Sequence, residues 1–506
     1  MNLIDFGALN DSITILSQSY MAWLVIIPGL FIGLAGGALP GISGTMILAL
    51  MLPLTPYLDF FTAVTFLTSV FTGAGFGGAV PAILVNMPGS TAAVATTFDG
   101  YPMARQGRHN EALGLGLAAS TIGTFVSYVV LFFLINYVST AVLKLGPVEM
   151  AVVALWGITM IAMLRGGNVE RGILAGIAGL LIGTIGVSPI GKMRGTFGIP
   201  ELVDGVAIVP AMIGILATAE LFNLARSRYI IENDADRVVS FKRIMAGFRD
   251  IFKYWRTLSR GSLIGIFVGA IPGVGASVAN LISYASTRRS DKNPDSYGKG
   301  NPNGLVASES ANSSSEGGAM GTLLALGLPG GGGTAVLLAA FAMQNVTGGP
   351  RFIADQKDVV YAILLVNMVE ALLLVGIGLI FIRMAVVIVK VQVRHLVPTV
   401  IVVAMAGSYA ITGNLAGPVT LALFSIIGWI LQRYDYAPAA AVVGLLLGKF
   451  VESQFVFSHQ LSGGQHSFLL TRPIAMTMLG ILAISLLYPV FTKWRRNRRQ
   501  SSMSSQ

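Results

Sequence analysis

Four short stretches built from proline, glycine and small hydroxyl residues interrupt otherwise apolar runs of the chain. The first holds Gly41, Ser43, Gly44 and Thr45, and the second holds Asn86, Pro88, Gly89, Ser90 and Thr91. The third holds Gly273, Gly275, Ser277 and Asn280, and the fourth runs Pro329, Gly330, Gly331, Gly332, Gly333 and Thr334. Where proline and glycine break an apolar helix, the new ends expose N–H groups that an anion can use and C=O groups that a cation can use. Hydroxyls and amides serve either role, and glycine lets a ligand approach the main chain. A carboxylate bound together with a cation fits such a surface.

The breaks come in pairs. Pro40-Gly41 returns as Pro272-Gly273, an offset of 272 − 40 = 232 residues. Gly77-Gly78-Ala79 leads to Pro88-Gly89 as Gly317-Gly318-Ala319 leads to Pro329-Gly330, with separations of 11 and 12 residues. Gly167-Asn168 matches Gly413-Asn414, and Glu220 matches Glu452. A lone Pro-Gly reads as a packing kink or a small-residue helix crossing. Four breaks in two matched pairs favour a site.

The stretch Ser308 to Glu316 has two readings. It is either a hydrated loop with a helix cap, or a segment whose Glu309 and Asn312 ligate a cation or carry a proton at a cytoplasmic mouth. Glu149, Glu220, Glu370, Glu452 and Lys449 fall within or beside apolar spans, where ionisable groups are costly. Lys449 and Glu452 stand one helical turn apart and are expected to pair. No histidine spacing suits a metal, so no metal site and no catalytic residue is assigned. Gly41-Ile42-Ser43-Gly44 matches the GxSG of intramembrane serine proteases, but the second copy has Gly275 where a serine is needed and no histidine base is placed to help. The chain therefore reads as a non-enzyme.

These residues need a membrane around them. Apolar residues make up 54% of 506 and charged ones 11%, and several runs of about 20 apolar residues can each span a bilayer. Cysteine is absent, which removes disulfides and thiol chemistry. The net charge of +10 is concentrated in loops and the tail, where membrane orientation explains it better than nucleic acid does. No Lys or Arg precedes Arg105, so the first apolar segment does not resemble a cleaved signal.

In chain order the pattern predicts a short interfacial helix within 1–20, then a first broken segment over 21–53. A discontinuous helix follows, interrupted at Gly73–Gly78 and again at 86–91. A basic loop at 99–110 precedes four more spans, near 111–138, 147–164, 170–187 and 203–222. The segment 223–260 carries nine basic residues against four acidic ones and reads as a cytoplasmic linker or surface helix. Keeping all basic loops on one side makes 261–285 a re-entrant hairpin and puts five crossings in each half. The expected fold is an all-α polytopic membrane protein of two inverted repeats with broken helices, about eleven crossings and two hairpins. Its parts are a first repeat (1–222), the basic linker (223–260), an inverted second repeat (261–456) and a C-terminal span with a basic tail (457–506).

The motifs ALPGISG at 38–44, NMPGS at 86–90, FDGYPMARQG at 98–107, AIPGVGA at 270–276, ASESAN at 307–312 and GLPGGGGTA at 327–335 give this chain a recognisable signature. Over nearly its whole length it resembles the large membrane subunit of the bacterial tripartite tricarboxylate transporters. The resemblance implies uptake of citrate or another small carboxylate across the bacterial inner membrane, driven by a sodium or proton gradient. It also implies a small membrane subunit and a periplasmic solute-binding protein as partners, no cofactor beyond the coupling ion, and the Pro-Gly breaks as the transport site. Ser313-Ser314 departs from the Asn-Ala that members often carry after ASESAN. A receptor or scaffold that docks the periplasmic protein without transport is the other reading, and it gives no reason for paired breaks.

Overall fold

The computed structural model describes residues 4–39, 42–86, 88–144, 146–150, 152, 169–219, 240–272, 275–388, 393–463, 472–480 and 483. Gly41, Gly273, Glu220, Gly167-Asn168, the expected span at 147–164 beyond its first residues, the linker before Ser240 and the basic tail lie outside the described residues.

The described chain is almost wholly helical. Its first half contains α1 (Phe6–Gln18), α2 (Tyr20–Gly37), α3 (Gly44–Met51), α4 (Phe60–Gly77), α5 (Ala79–Val85), α6 (Val94–Met103), α7 (His109–Val142), α8 (Val169–Gly183) and α9 (Ile208–Ile213). Then follow α10 (Phe241–Asp250), α11 (Trp255–Gly269), α12 (Gly275–Ser290), α13 (Pro302–Leu326), α14 (Gly332–Met343) and α15 (Pro350–Asp355). The last described helices are α16 (Lys357–Ile388), α17 (Val393–Thr412), α18 (Ala416–Arg433) and α19 (Pro438–Leu461). One short antiparallel ribbon, β1 (Gly186–Val187) with β2 (Met193–Arg194), was not legible in the sequence.

Six described segments are long and apolar enough to cross a membrane: Tyr20–Gly37, Phe60–Leu84, Thr91–Val138, Lys357–Met384, Ala416–Arg433 and Ala440–Leu461. The molecule is a multi-pass α-helical membrane protein. The short helix expected within 1–20 is α1, capped by the Asp5 carboxylate and tied to the start of α16 by Lys357 at 3.0 Å. Its hydrogen bond with that ammonium holds the Asp5 carboxyl below the usual carboxylate range.

Glycines set the packing of two helix pairs. Gly29, Gly33 and Gly37 lay α2 against the main chain of α4 at Phe66, Val70 and Ala74. Gly261, Gly265 and Gly269 lay α11 against α13 at Ala307, Ala311 and Ser315 in the same way. The offsets are 265 − 33 = 232 on one helix and 311 − 70 = 241 on the other. Contact this close leaves no room for a Cβ, and it supplies the van der Waals attraction that holds helices together in lipid. A third close pair, α8 with α19, uses Gly179 and Gly183 against Ala441 and Leu445, and Gly444 and Gly448 against Gly176 and Leu180.

Three expectations change. Gly73–Gly78 is not an interruption, because α4 continues to Gly77, and Gly73 and Gly77 seat the helix on the carbonyls of Leu30 and Leu34. Ser308–Glu316 is not a hydrated loop but the buried middle of α13. Lys449 and Glu452 find other partners: Glu452 pairs with Arg194 at 2.6 Å, and Lys449 donates to the Asp204 carbonyl at 2.6 Å.

Candidate functional site

Each of the four expected breaks is a gap between two helices. The first separates α2 from α3, and the Ser43 hydroxyl caps α3 by accepting from Met46 N at 3.2 Å. In the second, α5 ends at Asn86, whose φ of 59° terminates the helix, and a single turn over Thr91–Ala93 starts α6. The third separates α11 from α12, which begins at Gly275 with φ of 64°. The fourth follows Gly327 and ends at α14, where the Thr334 hydroxyl accepts from Gly331 N at 3.0 Å and donates to Gly331 O at 3.1 Å. Each break thus pairs the negative end of one helix with the positive end of the next.

The four gaps meet in a closed ring. Gly89 packs so tightly on the Gly37 carbonyl that any Cβ there would overlap it, which joins the second break to the first. Thr91 Oγ1 lies 2.7 Å from Ser277 Oγ, joining the second to the third. At Gly330 a Cβ would lie 2.6 Å from the Gly269 carbonyl oxygen, joining the fourth to the third. A Cβ at Gly332 would lie 2.6 Å from Thr45 Oγ1, which closes the ring from the fourth break to the first. Asn280, itself fully buried, donates its side-chain N–H to the Ala92 carbonyl.

Opposite contacts in the ring are equivalent. Gly89 on Gly37 and Gly330 on Gly269 differ by 330 − 89 = 241 and 269 − 37 = 232. Thr91 beside Ser277 and Gly332 beside Thr45 differ by 332 − 91 = 241 and 277 − 45 = 232. In this register Gly77 corresponds to Gly318, not Gly317, since they pack on Leu34 O and Ile266 O respectively. The doublet-to-break spacing is then the same in both halves.

Most of the residues singled out in the sequence are in or beside the ring. Ser43, Thr45, Ser90, Ser277 and Gly332 are partly accessible and Thr91 is exposed, while Gly89, Pro329, Gly330, Gly333 and Thr334 are buried supports. Gly44 abuts Ala74, Pro88 precedes the close approach at Gly89, and Gly331 faces Gly275. Asn86 is exposed and serves as a helix terminator. Glu309 and Asn312 belong instead to a polar face of α13. Glu309 accepts from Thr96 of α6 and from Ser120 of α7 at 3.1 Å, and Asn312 donates to Gly75 O of α4 at 3.4 Å.

Three carboxylates gain importance from the structure. Asp99 is fully buried and accepts from Gly298 N and Gly300 N at 2.9 Å, from Asn301 N at 2.8 Å and from Tyr284 OH at 2.9 Å. The chain entering α13 is thereby fastened to α6. Its motif, FDGYPMARQG, marked the position, but as part of a loop. Glu316 accepts from Thr72 at 2.6 Å and from Tyr128 at 3.0 Å, and Glu370 accepts from Thr68 at 3.1 Å. A glutamate within an apolar run is the only sequence signal for Glu370.

Helix N-termini that converge around a ring of breaks expose N–H groups of the kind an anion can use. The chain belongs to a family that accounts for such a site: residues 23–444 match the tripartite tricarboxylate transporter TctA family. It is 30% identical over 472 residues, 92% of each chain, to an uncharacterized 52.8 kDa protein in the TAR-I ttuC' 3' region of Agrobacterium vitis. It is also 29% identical over 236 residues to an uncharacterized protein in the TAR-II ttuC' 3' region of the same organism, covering 47% of this chain and 98% of that one. No solved structure matches.

Proposed function

We propose that this chain is the translocating subunit of a secondary transporter that takes up citrate or another small carboxylate across the bacterial inner membrane. A small membrane subunit and a periplasmic solute-binding protein that delivers the substrate complete the system. A sodium or proton gradient supplies the energy. The carrying observation is the ring of four breaks, in which Thr91, Ser277, Thr45 and the N-termini of α3, α6, α12 and α14 converge. Hydroxyl donors and helix N-termini together match the several negative charges of a di- or tricarboxylate.

The matched offsets support a duplicated architecture of residues 1–222 and 261–456. On this reading the second unit is inverted, with about five crossings in each unit, two re-entrant hairpins and one further C-terminal span. The linker at 223–260 joins the units on the cytoplasmic face.

Reconstitution in liposomes with the small subunit and binding protein tests this directly. Labelled citrate and other carboxylates are offered under imposed sodium or proton gradients. Gradient-driven accumulation that requires the binding protein is expected. Failure of all carboxylates to accumulate, with every component folded, overturns the proposal.

A further inference from the structure

Glu316 and Glu370 lie outside the ring, yet they are the carboxylates whose placement the ring does not explain. On α4, Thr68 and Thr72 stand one helical turn apart, so both hydroxyls lie on one face. Thr68 donates to Oε1 of Glu370 on α16, while Thr72 donates to Oε1 of Glu316 on α13. Tyr128 of α7 donates to that same oxygen of Glu316. Four helices thus enclose a carboxylate pair, with Glu316 6% exposed and Glu370 fully buried.

Among the described residues, no cation faces the pair. The titratable groups that reach it are the two carboxylates themselves and Tyr128. Charged residues on the surrounding helices sit towards their ends. Lys357 at the start of α16 is paired with Asp5, and Arg383 lies near that helix's other end. Arg108 at the head of α7 is paired with Glu111, next to His109. Neither α2 nor α4 carries a charged residue, and the other charge on α13 is Glu309, two turns from Glu316.

A second observation points to something missing. Oε2 of Glu370 is buried with no hydrogen-bond partner, since the nearby Ser69 hydroxyl is donated to the Thr65 carbonyl at 2.7 Å, and Oδ1 of Asn367, one turn earlier on the same helix, is likewise unpartnered. Thr72 and Tyr128 both address Oε1 of Glu316, which leaves its Oε2 for another occupant. A carboxylate removed from water without a counter-charge is strongly disfavoured, and two that sense each other cannot both remain ionised at low cost. A proton removes this penalty without requiring the several oxygen ligands of a metal cation.

We propose that Glu316 and Glu370 form a proton-binding pair that couples carboxylate uptake to the proton gradient. This rests on the transport reading above. The pair carries at least one proton when loaded. A proton leaves an Oε2 oxygen when the surrounding helices shift and water enters, and the carboxylate that remains must be reprotonated before the next cycle. The hydroxyls of Thr68, Thr72 and Tyr128 stabilise that charged interval. No bond other than O–H forms or breaks.

Two measurements test it with Glu316→Gln and Glu370→Gln, which keep size and shape. Infrared spectroscopy of the purified chain needs no transport. A protonated-carboxyl absorption at neutral pH is expected in the unmodified protein and is expected to weaken in at least one variant. Reconstituted with its partners, each variant is expected to lose about tenfold or more of proton-driven accumulation, the scale of one coupling free energy. Carboxylate exchange between the two sides, which requires no net proton movement, is expected to persist.

Proton-driven accumulation that survives both substitutions overturns the proposal. So does an unchanged carboxyl absorption in both variants, including when accumulation follows sodium alone. If the unmodified complex accumulates no carboxylate under any gradient, the transport reading fails, while the infrared result still decides whether the pair holds a proton.

Discussion

Helices α4 and α13 occupy equivalent places, each laid along a glycine-faced partner and each leading to a Pro-Gly break, yet their buried faces differ. At the offset of 241 their glycine contacts agree. The polar positions do not: Thr68, Phe71 and Gly75 of α4 stand where α13 has Glu309, Asn312 and Glu316. What both halves keep is the backbone geometry of the ring. Of the two helices only α13 adds acidic groups, and they accept from hydroxyls of α4, α6 and α7. Under the proposed function the difference corresponds to separate tasks, with substrate held by features common to both halves and the ion handled by features of one.

The shared part breaks most severely. Gly89→Leu and Gly330→Leu each force a side chain into the main chain of the preceding break, and each is expected to lower uptake about 100-fold or more, the scale of ångström misplacement at a site. Membrane insertion should be intact, and the two losses should be similar. A large effect at one position and none at the other would break the equivalence.

Asp99→Ala strips an acceptor from three backbone N–H groups and Tyr284 OH. A stability loss of about 2–3 kcal/mol is expected, read as a lowered thermal midpoint in detergent, because buried donors are left unsatisfied. The unshared part separates next. Glu309→Ala should reduce gradient-driven uptake about tenfold, the scale of one coupling free energy. Unchanged uptake would contradict the division of tasks. Smallest of all, Thr91→Ala and Ser277→Ala should each raise the half-saturating carboxylate concentration about 5-fold, the scale of about 1 kcal/mol for one neutral hydrogen bond.

The breaks were legible because proline and glycine inside an apolar run leave few alternatives, and the 232-residue offset between the pairs at 40 and 272 returns in the glycine contacts of Gly33 and Gly265. A sequence is ambiguous where one residue type has two uses. Gly73 and Gly77 look like breakers in one dimension, but in three they are the flat surface on which α4 meets Leu30 and Leu34. Ser308 to Glu316 resembles a loop by polarity alone. It is helical and buried because hydroxyls on α4, α6 and α7 satisfy its carboxylates, and that information is spread over sequence separations of 188 to 244 residues. Aligning Gly317 with Gly77 was an error of one residue that only the packing partners could correct. Glu452 pairs with Arg194 across the fold, and no helical spacing could have shown it.

The central claim is that a carboxylate occupies the ring where the two halves meet. The chain has no cysteine, so a single Thr91→Cys substitution gives one reactive thiol at the Thr91–Ser277 contact. The direct measurement is the rate of labelling of that thiol by a membrane-permeant reagent, with and without saturating citrate or the carboxylate selected by the uptake assay, beside an exposed control at Leu461→Cys. The account expects the carboxylate to slow labelling at position 91 about tenfold or more while leaving position 461 unchanged, as for a site whose occupant excludes the reagent. Equal labelling at position 91 with and without a carboxylate that the complex transports would contradict it.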